Sequence, residues 1–254
     1  MNILGDMNMK MNISVGGKLM TAADADVDMD MKAVFDGGGL AASGSISAVM
    51  TTETPKLGAE EEDATQKSTM RVSGEAYIDG EAFYLDGTLS SSSGDEKTDI
   101  EESGKFLVPG GFDLSSVGVS FPDQLTMERN ILGALRDAGA KIYIDGSDAE
   151  ETKVKVSYDV NAVLSQLPLP GSEELQTLID AIRFDCYDIY FSFVPETGVV
   201  TAFGTVIEVS IPETTIGEGE TAVTVSLEES GSTWYLAEDV TVEAPADLAD
   251  YKQL

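Results

Sequence analysis

The sequence predicts a single α+β domain that is predominantly β, an antiparallel sheet with a few amphipathic helices in the middle of the chain. Three observations carry this reading. Apolar and polar residues alternate with a period of two along both ends of the chain. Glycine pairs and Asp-Gly steps separate the alternating runs, as hairpin turns require. Helical spacing of leucine and isoleucine is confined to the stretch between residues 100 and 183, leaving strands over 6–85 and 186–243. At 254 residues one domain is an ordinary size for a sandwich or barrel, and 42% hydrophobic content supplies a core.

The opening strand is the clearest. Met7, Met9, Met11, Ile13 and Val15 alternate with Asn8, Lys10, Asn12 and Ser14, which places one set on a buried face and the other in water. Val15-Gly16-Gly17-Lys18 is a hairpin turn. Val27, Met29, Met31, Ala33 and Phe35 then oppose Asp26, Asp28, Asp30 and Lys32. After the Gly37-Gly38-Gly39 break, Ile46, Ala48 and Met50 continue the pattern, so three strands form a meander. Pro55 to Lys67 reads as an acidic loop. Met70 to Leu85 reads as a hairpin turning at Asp79-Gly80, and the same Tyr-Ile-Asp-Gly recurs at 143–146. Ser90 to Asp99 reads as a flexible connection.

Helices fit the middle. Ile100 to Phe106 is expected to form one short turn. Asp123 to Ala138 carries Leu125, Ile131, Leu132 and Leu135 on one stripe, closed by Gly139. Glu173 to Arg183 carries Leu175, Leu178, Ile179 and Ile182 at helical spacing, with Ser172 as N-cap. Strands return at Tyr187–Val194 and Val199–Ile211 around a Pro195-Glu196-Thr197-Gly198 turn, then at Thr221–Leu227 and Thr233–Val242 around Glu228–Ser232. Pro245 ends the sheet.

The charge balance is unusual: 15 basic against 46 acidic side chains give a formal net charge of −31. A field of that sign repels phosphate backbones and anionic lipid surfaces, so no nucleic-acid partner is expected. Three readings of the acid remain open: a solubility coat outside the cytoplasm, a halophilic source, or an acidic docking face. Histidine is absent and Cys186 is the single cysteine. His-based triads, His ligands and disulfides within the chain are thereby removed. Cys186 lies in a strand-like run and reads as a small packed residue rather than a nucleophile. No run of 18 apolar residues exists. The first residues lack a basic region and an apolar core, so no signal peptide is visible. The chain is either cytoplasmic or an exported one whose targeting segment was removed, and its almost immediate entry into a strand favours the second.

Asp24, Asp26, Asp28 and Asp30 resemble the start of a calcium loop. Such a loop needs glycine at position six and glutamate at position twelve; Met29 and Phe35, or Met31 and Gly37, stand there instead. The row therefore reads as a solvated strand face. Carboxylates are too many to single out a glycosidase-like pair, and Trp234 is the only tryptophan. No catalytic residue, metal or cofactor is expected, and the chain reads as no enzyme. The methionines Met7, Met9, Met11, Met29, Met31 and Met50 fall on the apolar faces of three neighbouring strands. They either pack on the chain's own helices or adapt to a variable apolar ligand.

The Met-rich strands over Asp6–Val15 and Val27–Phe35, the hairpin Glu75–Tyr84, the strand Lys153–Asp159 running into Val163-Leu164, and the closing Pro245-Ala246-Asp247 before Tyr251-Lys252 resemble the LolA/LppX-like superfamily of bacterial lipoproteins and lipoprotein carriers. Gram-positive cell-surface lipoproteins are the most similar in character. The resemblance covers most of the chain at the level of pattern. It implies an antiparallel sheet curved into a half-barrel around the helices, with an apolar cavity. It also implies export and membrane attachment through a lipidated cysteine that this sequence lacks. The expected function is non-catalytic binding of a lipid or other apolar small molecule between sheet and helices. Met29, Met31, Phe35, Tyr84, Phe191, Phe193 and Phe203 are the expected lining. The alternative is a cell-surface structural or protein-interaction domain with a solid core and acidic exterior. Ligand identity, partner and oligomeric state are not written in the sequence.

Overall fold

The structure, a computed structural model, describes residues 1–36, 39–56, 65–79, 82–94, 100–109, 131–137, 139–148, 150–164, 173–217 and 222–253. Strands β1 (Asn2–Val15), β2 (Lys18–Asp36), β3 (Gly39–Pro55), β4 (Thr65–Ile78), β5 (Ala82–Ser93) and β6 (Ile100–Pro109) form an antiparallel meander. The three short helices are α1 (Ile131–Asp137), α2 (Val160–Leu164) and α3 (Glu173–Ala181). Strands β7 (Lys141–Asp145), β8 (Thr152–Ser157), β9 (Arg183–Phe193), β10 (Val200–Ile216) and β11 (Val223–Leu236) build the second half, and β12 (Lys252–Gln253) closes the chain.

All twelve strands share one sheet, in the order β12-β6-β5-β4-β3-β2-β1-β11-β10-β9-β8-β7. The two halves are joined where β1 pairs along its whole length with β11. Every pairing is antiparallel except β12 on β6. The sheet is not closed into a barrel; β12 and β7 are its edges.

This corrects the expectation of an α+β half-barrel wrapped around helices. Among the described residues strand makes up 72% and helix 10%, so helices cannot fill a concavity spanning the sheet. They sit at one end, against β7, β9 and β10. Leu132 and Leu135 of α1 pack on Val154 and Val156, and Gly139 ends the helix with φ 93°. The first part of the Asp123–Ala138 stripe and the Ser172 cap lie outside the described residues.

Two local expectations are also overturned by pairing. Ile100–Phe106 forms no helical turn; it lies in β6, where Phe106 faces Leu85 across the ladder and is 5% exposed. Glu228–Ser232 forms no turn, and no strand extends to Val242. Lys10 opposes Glu228, and Ser210 opposes it from the other side, so β11 runs straight through between two long neighbours. Turn-like composition is overridden when both ladder edges are satisfied. The first hairpin stands as read, with Gly16 at φ 57° and Gly17 at φ 76°. The repeated Tyr-Ile-Asp uses its aspartate alike in both places: Asp79 accepts from the Ala82 N–H (2.9 Å) and Asp145 from the Ser147 N–H (3.0 Å).

The chain past β11 crosses the polar side of the sheet. Asn2 donates to Glu238, Lys105 pairs with Asp247, and Tyr251 meets Tyr84 edge-on at 5.2 Å. Those anchors seat β12 against β6.

Candidate functional site

Strand parity divides the sheet into two unlike faces. One face carries a single registered row: Phe106, Leu85, Ala76, Gly44, Met31, Ile3, Tyr235, Phe203, Phe191, Val154 and Ile144, each opposite the next. Two packed clusters lie on this face. One gathers Met31, Ala33, Ala42, Ala76 and Ile78, with Met29 and Ile46 against it. The other gathers Ala140, Val154 and Val156, with Phe191, Phe193 and Ile189 against it. The opposite face holds Asp24, Asp26, Asp28 and Asp30, all exposed, in the solvated arrangement read from the sequence.

Most of the expected lining residues share the apolar face. Met29 and Met31 belong to the first cluster and Phe191 and Phe193 to the second. Phe203 bridges toward both, its ring 5.3 Å from Phe191 and 6.0 Å from Tyr235. Phe35 opposes Leu40 in the ladder, and its side chain lies outside the described residues. Tyr84 does not join them. It opposes Tyr77, which opposes Ser43, which opposes Lys32, and this row is the polar face. There it packs on Tyr77 (5.8 Å) and Tyr251.

Sequence reading placed Met7, Met9 and Met50 on the apolar face but missed Met70 beside them. Met9 opposes Ala25, Ala25 opposes Met50, and Met50 opposes Met70. Met7 lies one row away, opposite Val27 and then Ala48. Met7, Met50 and Met70 are 40%, 39% and 46% exposed, which is unusual for large apolar side chains beside a packed cluster. The Met50–Met70 pairing spans the connection between β3 and β4, and β4 starts from Thr65 rather than after the loop read to Lys67, so no sequence spacing announces it.

The polar face has grooves of its own. One of about 460 Å³ is lined by Leu4, Asp6, Asp28, Asp30, Glu75 and Trp234; a second, about 430 Å³, lies between Lys32, Tyr77 and Tyr251. Ser232 donates to Asp6 within the first. No group of carboxylates able to hold a metal ion is present among the described residues.

One polar cluster is built more tightly. Asp188, 6% exposed, accepts from Lys155 (2.5 Å), Ser157 (2.5 Å), Cys186 (3.2 Å) and Tyr190 (3.4 Å). Burial alone raises this carboxyl; the donors, Lys155 foremost, outweigh it and hold Asp188 below the usual carboxylate range. Burial and the adjacent carboxylate push the half-buried Cys186 thiol up to about 11, so it stays protonated at neutral pH. With every donor aimed at one carboxylate, the cluster is a structural clasp between β8 and β9. Asp188→Asn is expected to cost about 1–3 kcal/mol at pH 7 by leaving charged and polar donors short of an acceptor. A depressed carboxyl stabilises above its unfolded value, near pH 3.9, and loses that contribution as pH falls through the folded value. The stability gap between wild type and Asp188→Asn, measured by urea unfolding, should therefore hold from pH 7 to about 5 and close below about 4. A gap unchanged at acid pH refutes the clasp.

No family model matches the chain, and no curated protein matches it. Among solved structures it is similar to a β-barrel-like protein of a domain of unknown function (DUF1849) from Brucella abortus. That match has 9% identity and a TM-score of 0.20, over 89% of this chain and 98% of that one. It is also similar to the translocator domain of the autotransporter NalP from Neisseria meningitidis, at 7% identity and a TM-score of 0.17, over 92% and 88%. Superpositions this loose assign neither fold family nor function. No helix among the described residues is long and apolar enough to cross a membrane.

Proposed function

We propose that this chain is a non-catalytic, extracytoplasmic lipoprotein-type domain that binds a lipid or other hydrophobic ligand on the apolar face of its sheet. The observation that carries the reading is the run of half-exposed methionines Met7, Met50 and Met70 beside a packed cluster of the same face. Methionine is unbranched and polarizable, so it adapts to chains of varied shape. Burying an acyl chain against it replaces water at about 0.8 kcal/mol per methylene before the cost of association. Met29 and Met31 border the patch through Ile46, which opposes Met29; Phe191, Phe193 and Phe203 continue the same face. This differs from binding between sheet and helices, because the patch lies on strands β1 to β4, away from the helices.

Delipidated protein should take up a fluorescent long-chain fatty acid saturably. The double variant Met50→Gln/Met70→Gln should bind about tenfold more weakly, equivalent to roughly 1.4 kcal/mol. No uptake by the wild type rejects ligand binding and favours an interaction domain working through its acidic exterior. Uptake unaltered in the double variant rejects this face as the site. A leader with a lipidation motif in the precursor tests the location.

A further inference from the structure

The two edges of the sheet are treated differently. On one side β12 lies along β6, seated by the Lys105–Asp247 pair and the Tyr84–Tyr251 contact. On the other side, among the described residues, β7 pairs only with β8, and no strand follows it in the sheet. An open edge presents unpaired N–H and C=O groups, and proteins usually blunt it by keeping it short or with charged side chains, proline or a bulge. β7 is five residues long with Lys141 and Asp145 at its ends, but its centre has no proline, bulge or charge. It reads Lys-Ile-Tyr-Ile-Asp, with Tyr143 56% and Ile144 61% exposed.

We propose that β7 pairs with β7 of a second copy of this chain, antiparallel about a two-fold axis through Tyr143, making one continuous sheet. The five residues are complementary to themselves in that register alone. Lys141 faces Asp145 of the second copy at both ends, Ile142 faces Ile144, and Tyr143 faces itself. Facing residues in an antiparallel pair share a face, so the two Lys–Asp pairs flank the tyrosines on the polar side. On the apolar side the exposed Ile144 of each copy gains Ile142, which already packs on the α1 cluster. A slip of two residues loses both charge pairs, and a parallel pairing sets like charges together. Lys141 forms no ion pair among the described residues, whereas Asp145 is held by Ser147 through its N–H (3.0 Å) and hydroxyl and stands opposite Lys153 on β8, so the second copy's Lys141 would share it with Lys153. The formal charge of −31 on each copy opposes association, and this corner has no basic excess to offset it: Lys153 pairs with Glu151, Lys155 with Asp188, and Asp148 and Glu150 lie in the β7–β8 connection. At about 0.15 M salt the distant charges are screened beyond roughly 8 Å. A five-residue pairing is smaller than a standard interface, so the dimer is weak and needs high protein concentration.

Disulfide trapping reads the register directly. In the proposed dimer residue 143 meets its own copy, with Cα atoms about 4.5–5.5 Å apart, within disulfide range. Residue 141 lies about 13 Å from its own copy, beyond that range. Under mild oxidation Tyr143→Cys should form linked dimer about tenfold faster than Lys141→Cys, with the wild type and its Cys186 as baseline. Sedimentation up to about 0.5 mM protein should show self-association that Lys141→Asp weakens severalfold and that Lys141→Asp/Asp145→Lys restores to within about twofold. Equal trapping at 141 and 143, a double variant no better than the single, or a wild type monomeric throughout would each overturn the proposal.

Discussion

Replacing Gly87 with alanine is expected to destabilise the protein by about 3 kcal/mol or more, lowering the thermal midpoint by roughly 6–12 °C. Gly87 on β5 stands opposite Gly74 on β4. A Cβ at Gly87 would run into the carbonyl oxygen of Ser73 and come within 2.8 Å of Gly74 Cα. A Cβ at Gly74 would come within 2.6 Å of Gly87 Cα. Here the missing side chains point at the neighbouring backbone rather than away from the sheet, as at a sharp bend in a strand pair. Because the obstructing atoms are backbone held in the ladder, relief requires pulling β4 from β5 and losing hydrogen bonds on either side. Gly133→Ala in α1 is the control. Its Cβ meets nothing within 4 Å, and helix propensity favours the change by up to about 1 kcal/mol. Differential scanning calorimetry of the two variants decides the matter. A Gly87→Ala protein within about 0.5 kcal/mol of wild type would mean that the strands do not approach as described.

Leu85→Ala carries the second large effect, about 2–5 kcal/mol by urea unfolding. Leu85 is 2% exposed, between Ala76 on one side and Phe106 on the other. Alanine at 85 would leave a cavity beside a neighbour too small to fill it, and strands locked in a ladder collapse poorly. Met70→Ala is the matching contrast: at 46% exposure it should cost less than about 1 kcal/mol. Together the pair separates the packed part of the apolar face from the uncovered part. If Met70→Ala proved as costly as Leu85→Ala, the methionines would be core and the ligand-binding reading would lose its site.

The strand character of the chain was legible because β structure writes itself into parity. Met7 to Val15 and Val27 to Phe35 alternate without a break, and the hydrophobic sets from Met7 to Val15 and from Val27 to Ala33 each sit on one face in the structure. The Gly16-Gly17 turn and the Gly139 stop were legible for a similarly local reason, since each needs a positive φ that glycine adopts at little cost. Ile100–Phe106 and Glu228–Ser232 were misread because their local signal is weak and their state is set by neighbours. β6 exists because β5 offers it a ladder, and β11 runs straight because β1 and β10 hold both its sides. Tyr84 was expected in the apolar lining, and composition alone does not tell on which face a strand residue lies. Only its register with Tyr77 assigns it to the polar face.

By itself, then, the sequence determined that this is an acidic chain of alternating strands, without histidine chemistry, carrying a methionine-rich apolar side. Those properties follow from composition and from contacts within one strand or one turn. The tertiary structure decided which strands meet: that β1 joins β11, that Met50 meets Met70 across a connection, and that the helices gather at one end. Among the described residues it also left β7 open while β12 covers β6. Such pairings join residues up to more than 200 positions apart, as Asn2 and Leu236 show. Their energy comes from ladders and packing between segments, which no local pattern records.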